Sequence, residues 1–165
     1  YAKTNNAESL RLAMPHVEGR SFLLCDGDVL LRDAGFLKGL AMDARPNVLT
    51  MIARDDLGEE EMKIALVPGE ERILGLSKKL EPGRCHGESL GLQKIGSASF
   101  AALSKRLDEM SDVERASSYY EDIFAELIDT GHDFFAFGVE PGSWTEIDTV
   151  EDLDHARQLF ESWDV

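Results

Sequence analysis

Phe22-Leu23-Leu24-Cys25-Asp26-Gly27-Asp28-Val29-Leu30 is the stretch that decides the fold: an uninterrupted apolar run ends abruptly in two aspartates around a glycine. A short apolar run of this kind reads as a central strand covered on both faces. Ligands of open α/β sheets bind at the carboxyl ends of strands, so Asp26 and Asp28 stand where a ligand would be met. Gly27 would let backbone approach that ligand closely. An Asp-Gly-Asp turn that merely ends the strand uses the same residues.

Upstream, Leu10, Ala13, Met14 and Val17 recur at helical spacing and make one inward stripe. Downstream, residues 48–53 read as a second buried strand. Met62 to Val67 and Arg72 to Leu76 form a hairpin around Pro68-Gly69-Glu70-Glu71. Ser89 to Ile95 is a further strand, followed by a helix from Ser97 that turns Phe100, Leu103, Leu107 and Met110 inward. A helix over roughly 117–130 carries Tyr120, Ile123, Phe124, Leu127 and Ile128 on one side and stops at Gly131. Phe134 to Val139 is a strand, and Thr149 with Asp152 caps a last helix that faces Val150, Leu153, Ala156 and Phe160 inward. Strands alternating with helices predict a layered α/β fold, with a mostly parallel mixed sheet and helices on both faces.

The chain has 165 residues, which favours a single domain. Seventeen basic residues against 32 acidic ones leave a net charge of -15. That balance argues against nucleic-acid or anionic-membrane partners, which would repel the chain at long range. A phosphate substrate would need a metal ion or local cationic groups in order to approach. No apolar run nears the ~20 residues that span a bilayer, so the cytoplasm is the expected location. Cys25 and Cys85 lack metal-ligand spacing, and Cys25 reads as a buried free thiol. The chain opens at Tyr1 without an initiator Met, so it is expected to begin inside a longer protein.

A second acidic cluster, Trp144-Thr145-Glu146-Ile147-Asp148-Thr149, lies where a strand hands over to the last helix. Acidic residues favour helix N-termini for reasons of capping and dipole alone. Paired with Asp28, however, Asp148 offers the hard oxygen ligands that Mg²⁺ takes when phosphates and water complete its octahedron.

Tyr1-Ala2-Lys3-Thr4-Asn5-Asn6-Ala7-Glu8-Ser9-Leu10, Cys25-Asp26-Gly27-Asp28, Gly87-Glu88-Ser89-Leu90-Gly91-Leu92, Tyr119-Tyr120-Glu121-Asp122 and Glu146-Ile147-Asp148-Thr149 follow in this order. With them the chain resembles the CTP:phosphocholine and CTP:phosphonate cytidylyltransferases of the sugar-nucleotide pyrophosphorylase-like superfamily. The resemblance implies a nucleotide-diphospho-sugar transferase-like fold, here N-terminally incomplete, and attack of a phosphate or phosphonate oxygen on the α-phosphorus of CTP with release of pyrophosphate. It implies Mg²⁺ held at Asp28 and Asp148, and nucleotide contacts at Thr4, Asn5, Asn6, Ser9 and Asp26. N-capping of the first helix by Asn6 or a neighbour is the alternative reading of this stretch. Lys78 falls where the superfamily places a phosphate-contacting lysine, with Lys79 close behind.

Glu88, Tyr120, Glu121, Trp144 and Glu146 are the expected acceptor-site residues, an aromatic face with carboxylates suiting a quaternary ammonium or amine. Tyr120 also belongs to the apolar stripe of its helix, so core packing competes for it. The superfamily's Gly-x-Gly-x-Arg triphosphate loop has no counterpart in the 165 residues. The chain is therefore expected to be the C-terminal portion of a nucleotidyltransferase domain, inactive alone, with a homodimer left open as its assembly. A sugar-1-phosphate nucleotidyltransferase and a non-catalytic remnant are the competing readings.

Overall fold

The computed structural model describes residues 4–32, 34–140 and 142–162, with the backbone alone at 34, 160 and 162. The elements run α1 (Asn6–Val17), β1 (Phe22–Cys25), β2 (Val29–Leu31), α2 (Ala34–Met42), β3 (Asn47–Ile52), β4 (Lys63–Leu66), β5 (Ile73–Ser77), β6 (Gly87–Ile95), α3 (Ser97–Glu109), α4 (Asp112–Ser117), α5 (Tyr120–Asp129), β7 (Phe134–Gly138), β8 (Trp144–Glu146) and α6 (Val150–Ser162). Six strands form one sheet in the order β5-β4-β6-β3-β7, with β1 also paired to β6, while β2 and β8 make a separate ladder.

β6 organises the sheet. Its Glu88–Lys94 stretch pairs with β3 on one side. On the other side Leu92–Ile95 pairs with β1 and Gly87–Glu88 with β4. β1 and β4 thus lie end to end along one edge of β6, and between them Ser89, Leu90 and Gly91 have no strand partner on that side. Gly87 fits only as glycine, since a Cβ there would stand 2.1 Å from the Ile52 carbonyl oxygen.

Alternation along β3 sends Leu49 and Met51 to one face and Val48 to the other. On the first face α1, α3 and α5 contribute Leu10, Met14, Leu103, Leu107, Ile123 and Phe124 to the main core. Phe124 also packs on Phe134 at 5.5 Å between ring centroids. The second face holds Leu40, Val48 and Leu92, with Phe36 edge-on to Phe137 at 5.3 Å. Burying each such side chain stabilises the fold by roughly 1.5–3 kcal/mol.

The layered α/β fold, the mixed sheet and helices on both faces are as the sequence predicts. Strand direction is not. Only β3–β7 is parallel, and the other described pairs are antiparallel. β1 is not a central strand either: β6 flanks it on one side only, and its burial alternates. Leu23 is therefore 39% exposed, and Cys25 is an exposed thiol rather than a buried one.

The helix predicted over roughly 117–130 is α5, which begins at Tyr120, and a separate short helix, α4, precedes it. Asp122 accepts from the Tyr119 backbone N–H and Asn6 from that of Tyr120, so a fresh N-terminus forms at α5. Ala13 and Val150 point outward, Val150 being 70% exposed in the first turn of α6. The predicted inward side chain of Phe160 lies outside the described residues, as do Tyr1, Ala2 and Lys3.

The cap of α6 is found as read. Thr149 Oγ1 accepts from the Asp152 N–H at 3.1 Å, and Asp152 accepts from the Thr149 N–H at 2.9 Å. Thr149→Ala should cost about 1 kcal/mol in denaturant unfolding, because the Asp152 amide loses its acceptor.

Candidate functional site

The gap along β6 opens into a cavity of about 910 Å³. Its wall takes Asp26, Gly27 and Asp28 from the end of β1, Glu60, Glu61 and Met62 from the approach to β4, and Ser89 and Gly91 from β6. The α1 side adds Asn5, Asn6 and Ser9, the start of α5 adds Tyr119, Tyr120 and Glu121, and the β8 end adds Glu146 and Asp148. Eight carboxylates and one ammonium, that of Lys78, line it. That imbalance makes the cavity a strongly negative enclosure.

The β2–β8 ladder gathers the acidic ends. Val29 stands opposite Glu146, and the Ile147 N–H donates to the Asp28 carbonyl at 3.0 Å. Asp28, Glu146 and Asp148 each bring one carboxylate oxygen to within 4.8 Å of the other two. Asp28 Oδ1 is buried and has no hydrogen-bond partner among the described residues. Burial first, then the charges of Asp148 and Asp28, push the Glu146 carboxyl up to about 7. Three hard oxygens repelling one another, with an unpartnered oxygen on Asp28, fit a divalent cation that would relieve both costs.

Asp26 sits in a second acidic group. Its Oδ2 accepts from the Tyr120 hydroxyl at 2.7 Å, and its backbone N–H donates to the Gly91 carbonyl at 2.8 Å. Gly91, at φ +65°, leaves room that a Cβ would close to 2.5 Å from Asp26 Oδ2. Burial raises the Asp26 carboxyl, the Tyr120 bond opposes this, and Asp28 adds to it. Glu121, on the first turn of α5, is 6% exposed, and its Oε2 has no partner among the described residues. Burial pushes its carboxyl up to about 8.

Lys78, not the exposed Lys79, faces the cavity. Its Nζ lies 3.5 Å from Glu60 and 4.8 Å from the centroid of the Tyr119 ring. Behind it, the buried Lys63 donates to the carbonyls of Lys78 at 2.6 Å and Glu61 at 3.3 Å, tying two rims of the cavity together. Glu88 is half-buried and paired with Arg54 at 2.9 Å.

Of the residues read from the sequence, Asn5, Asn6, Ser9, Asp26, Asp28, Lys78, Glu88, Tyr120, Glu121, Glu146 and Asp148 share this one cavity. Thr4 and Trp144 are not among its lining residues, and Trp144 stands opposite Leu31 in the ladder. Asn5 rather than Asn6 caps α1, accepting from the Asn6 N–H at 2.8 Å. Two features escaped the sequence reading: Lys63, and Glu146 as the third member of the acidic triad. The i, i+2 spacing of Glu146 and Asp148 at a strand end, which shares a face, was the available signal for the second.

No family model matches the chain, and no curated protein does. Solved structures do. The inositol-1-phosphate CTP transferase from T. maritima superposes with a TM-score of 0.73 at 24% identity, over 96% of this chain and 62% of that one. A candidate glucose-1-phosphate thymidylyltransferase from Bacillus anthracis, solved with sucrose, gives 0.72 at 18% identity, over 96% and 62%. The CTP:phosphocholine cytidylyltransferase from Streptococcus pneumoniae gives 0.69 at 18% identity, over 97% and 65%. The chain thus spans less than two thirds of each neighbour. Its described helices include none long and apolar enough to cross a membrane. In architecture, the chain has the nucleotide-diphospho-sugar transferase fold of these nucleotidyltransferases.

Proposed function

We propose that this chain is the metal- and acceptor-binding portion of a cytoplasmic nucleotidyltransferase that moves a cytidylyl group from CTP to a phosphocholine- or phosphonate-like acceptor, releasing pyrophosphate. The observation that carries the reading is the convergence of Asp28, Glu146 and Asp148 at the wall of an acidic cavity. These three would hold Mg²⁺, which supplies charge neutralisation and alignment for the phosphoryl groups. Asp28 and Asp148 were the pair read from the sequence; Glu146, first read as an acceptor contact, joins them.

The chain's other residues have separable tasks. Lys78 exchanges Glu60 for a substrate phosphate, since both are anionic and its ammonium is already at the cavity wall. Asn5, Asn6 and Ser9 supply polar groups on the nucleotide side, and the acidic wall around Glu88 and Glu121 faces the acceptor. In-line transfer then needs positioning more than a protein base. Lys78→Met should raise the KM for MgCTP by roughly tenfold, the loss of one charge-assisted contact, while the melting temperature stays put.

The test is pyrophosphate release by the protein carrying whatever coding sequence precedes Tyr1. CTP, UTP, dTTP and GTP are each offered with phosphocholine, 2-aminoethylphosphonate and sugar 1-phosphates, with and without Mg²⁺. Mg²⁺-dependent turnover of CTP with an amine-bearing acceptor supports the reading. Preference for a sugar 1-phosphate would replace the acceptor assignment, and no turnover with any pair would leave the non-catalytic reading standing.

A further inference from the structure

We propose that Glu121 is the selectivity element of the acceptor site and accepts N–H bonds from a primary ammonium group, in preference to a trimethylammonium or a neutral hydroxylated head. The inference rests on the acceptor reading above and narrows it. Glu121 lines the cavity although it is 6% exposed, and its Oε2 lacks a hydrogen-bond partner among the described residues. A buried, unpaired carboxylate oxygen costs free energy unless something brings it a donor.

Asn6 and Tyr120 reach the Glu121 carboxyl group, yet no donor among the described residues reaches its Oε2. The Tyr120 hydroxyl donates to Asp26, and the Tyr120 N–H to Asn6. A ligand can supply the donor that Oε2 lacks, and a cavity lined by eight carboxyl groups and one ammonium favours a cationic one.

A quaternary ammonium would need aromatic faces, because it has no N–H to offer. The aromatic residues near the cavity are otherwise used. Tyr119 has Lys78 Nζ over its ring, and Tyr120 is buried against Phe124 at 5.4 Å. Trp144 is absent from the lining. Among the described residues the site thus offers hydrogen-bond acceptors rather than a cage, which suits R–NH₃⁺.

Equilibrium titration of this chain by calorimetry, with Mg²⁺ present and no nucleotide, compares four probes: phosphoethanolamine, 2-aminoethylphosphonate, phosphocholine and glucose 1-phosphate. At least one of the two primary amines should bind about tenfold or more tighter than phosphocholine and glucose 1-phosphate. Glu121→Gln, isosteric with the native residue, should erase that advantage and leave glucose 1-phosphate binding within about twofold. Phosphocholine binding as tightly as the amines, an equal loss for all probes in the variant, or no saturable amine binding would each overturn the assignment. Turnover is not read in this experiment. An amine preference in a protein that transfers no nucleotide would sink the proposed activity and leave the Glu121 site intact.

Discussion

Asp28→Asn and Asp148→Asn should each lower Mg²⁺-dependent pyrophosphate release by on the order of 100-fold or more, with the fold retained. The oxygens of Asp28, Glu146 and Asp148 lie within 4.8 Å of one another, and Asp28 Oδ1 is buried without a partner among the described residues. Three carboxylates so placed repel each other unless a cation sits between them. Neutralising one removes a ligand and also relieves repulsion. The metal-free variants should therefore melt no lower than the parent in chelator, while losing the stabilisation that added Mg²⁺ confers on it. A variant that keeps both turnover and the Mg²⁺ effect would show that the triad is only turn and cap chemistry.

Glu121→Gln should stabilise the metal-free protein at pH 8 and leave it nearly unchanged at pH 4.5. Burial raises the Glu121 carboxyl from 4.5 to about 8 in the folded chain. Between those values the folded state holds a proton that the unfolded state releases, so stability falls as pH rises. The contribution is complete below 4.5 and gone above about 8. Across that interval the loss is on the order of 5 kcal/mol, at 1.36 kcal/mol per pH unit. Glutamine cannot ionise and avoids it, so the variant's advantage at pH 8 should reach on the order of 10 °C in melting temperature.

Glu146 is common to both proteins, and Asp26, whose charge helps raise Glu121, is coupled to it, so the difference reports Glu121 together with that coupling. Scanning calorimetry in chelator across pH 4.5–8 measures it. Equal destabilisation at both ends would mean that the carboxylate is satisfied in the folded chain. A substitution that raises stability and removes amine selectivity marks a residue placed for a ligand rather than for the fold.

Much of this was legible in the residues. The hairpin at 62–76 is found because its turn chemistry is local, and the α6 cap because Thr149 and Asp152 are three apart. Asp28 and Asp148 could be paired because the first follows an apolar strand and the second sits where a strand hands over to the last helix, although 120 residues separate them. What failed depends on distant partners. Strand direction is set by which neighbour β6 collects, and a four-residue apolar run such as β1 carries no mark of having only one. Cys25 was misjudged for the same reason: exposure belongs to the missing second neighbour, not to the residue.

Glu146 was assigned to the acceptor because a carboxylate's partners depend on the register of β2 against β8, which places it across from Val29. Lys63 looked like an ordinary strand lysine. Only the folded chain shows its ammonium turned inward onto the carbonyls of Glu61 and Lys78. Its burial without a carboxylate among its hydrogen-bond partners is tolerable because two backbone dipoles accept from it.

Nucleotidyl transfer at this site requires that the carboxylates at the end of the β2–β8 ladder hold a divalent ion. Mn²⁺ titration of this chain, followed by electron paramagnetic resonance, measures this without any turnover. The predicted result is one saturable Mn²⁺ per chain that Mg²⁺ displaces and that Asp28→Asn and Asp148→Asn both lose. Mn²⁺ binding unchanged in those variants, or no saturable binding in the parent, would contradict it.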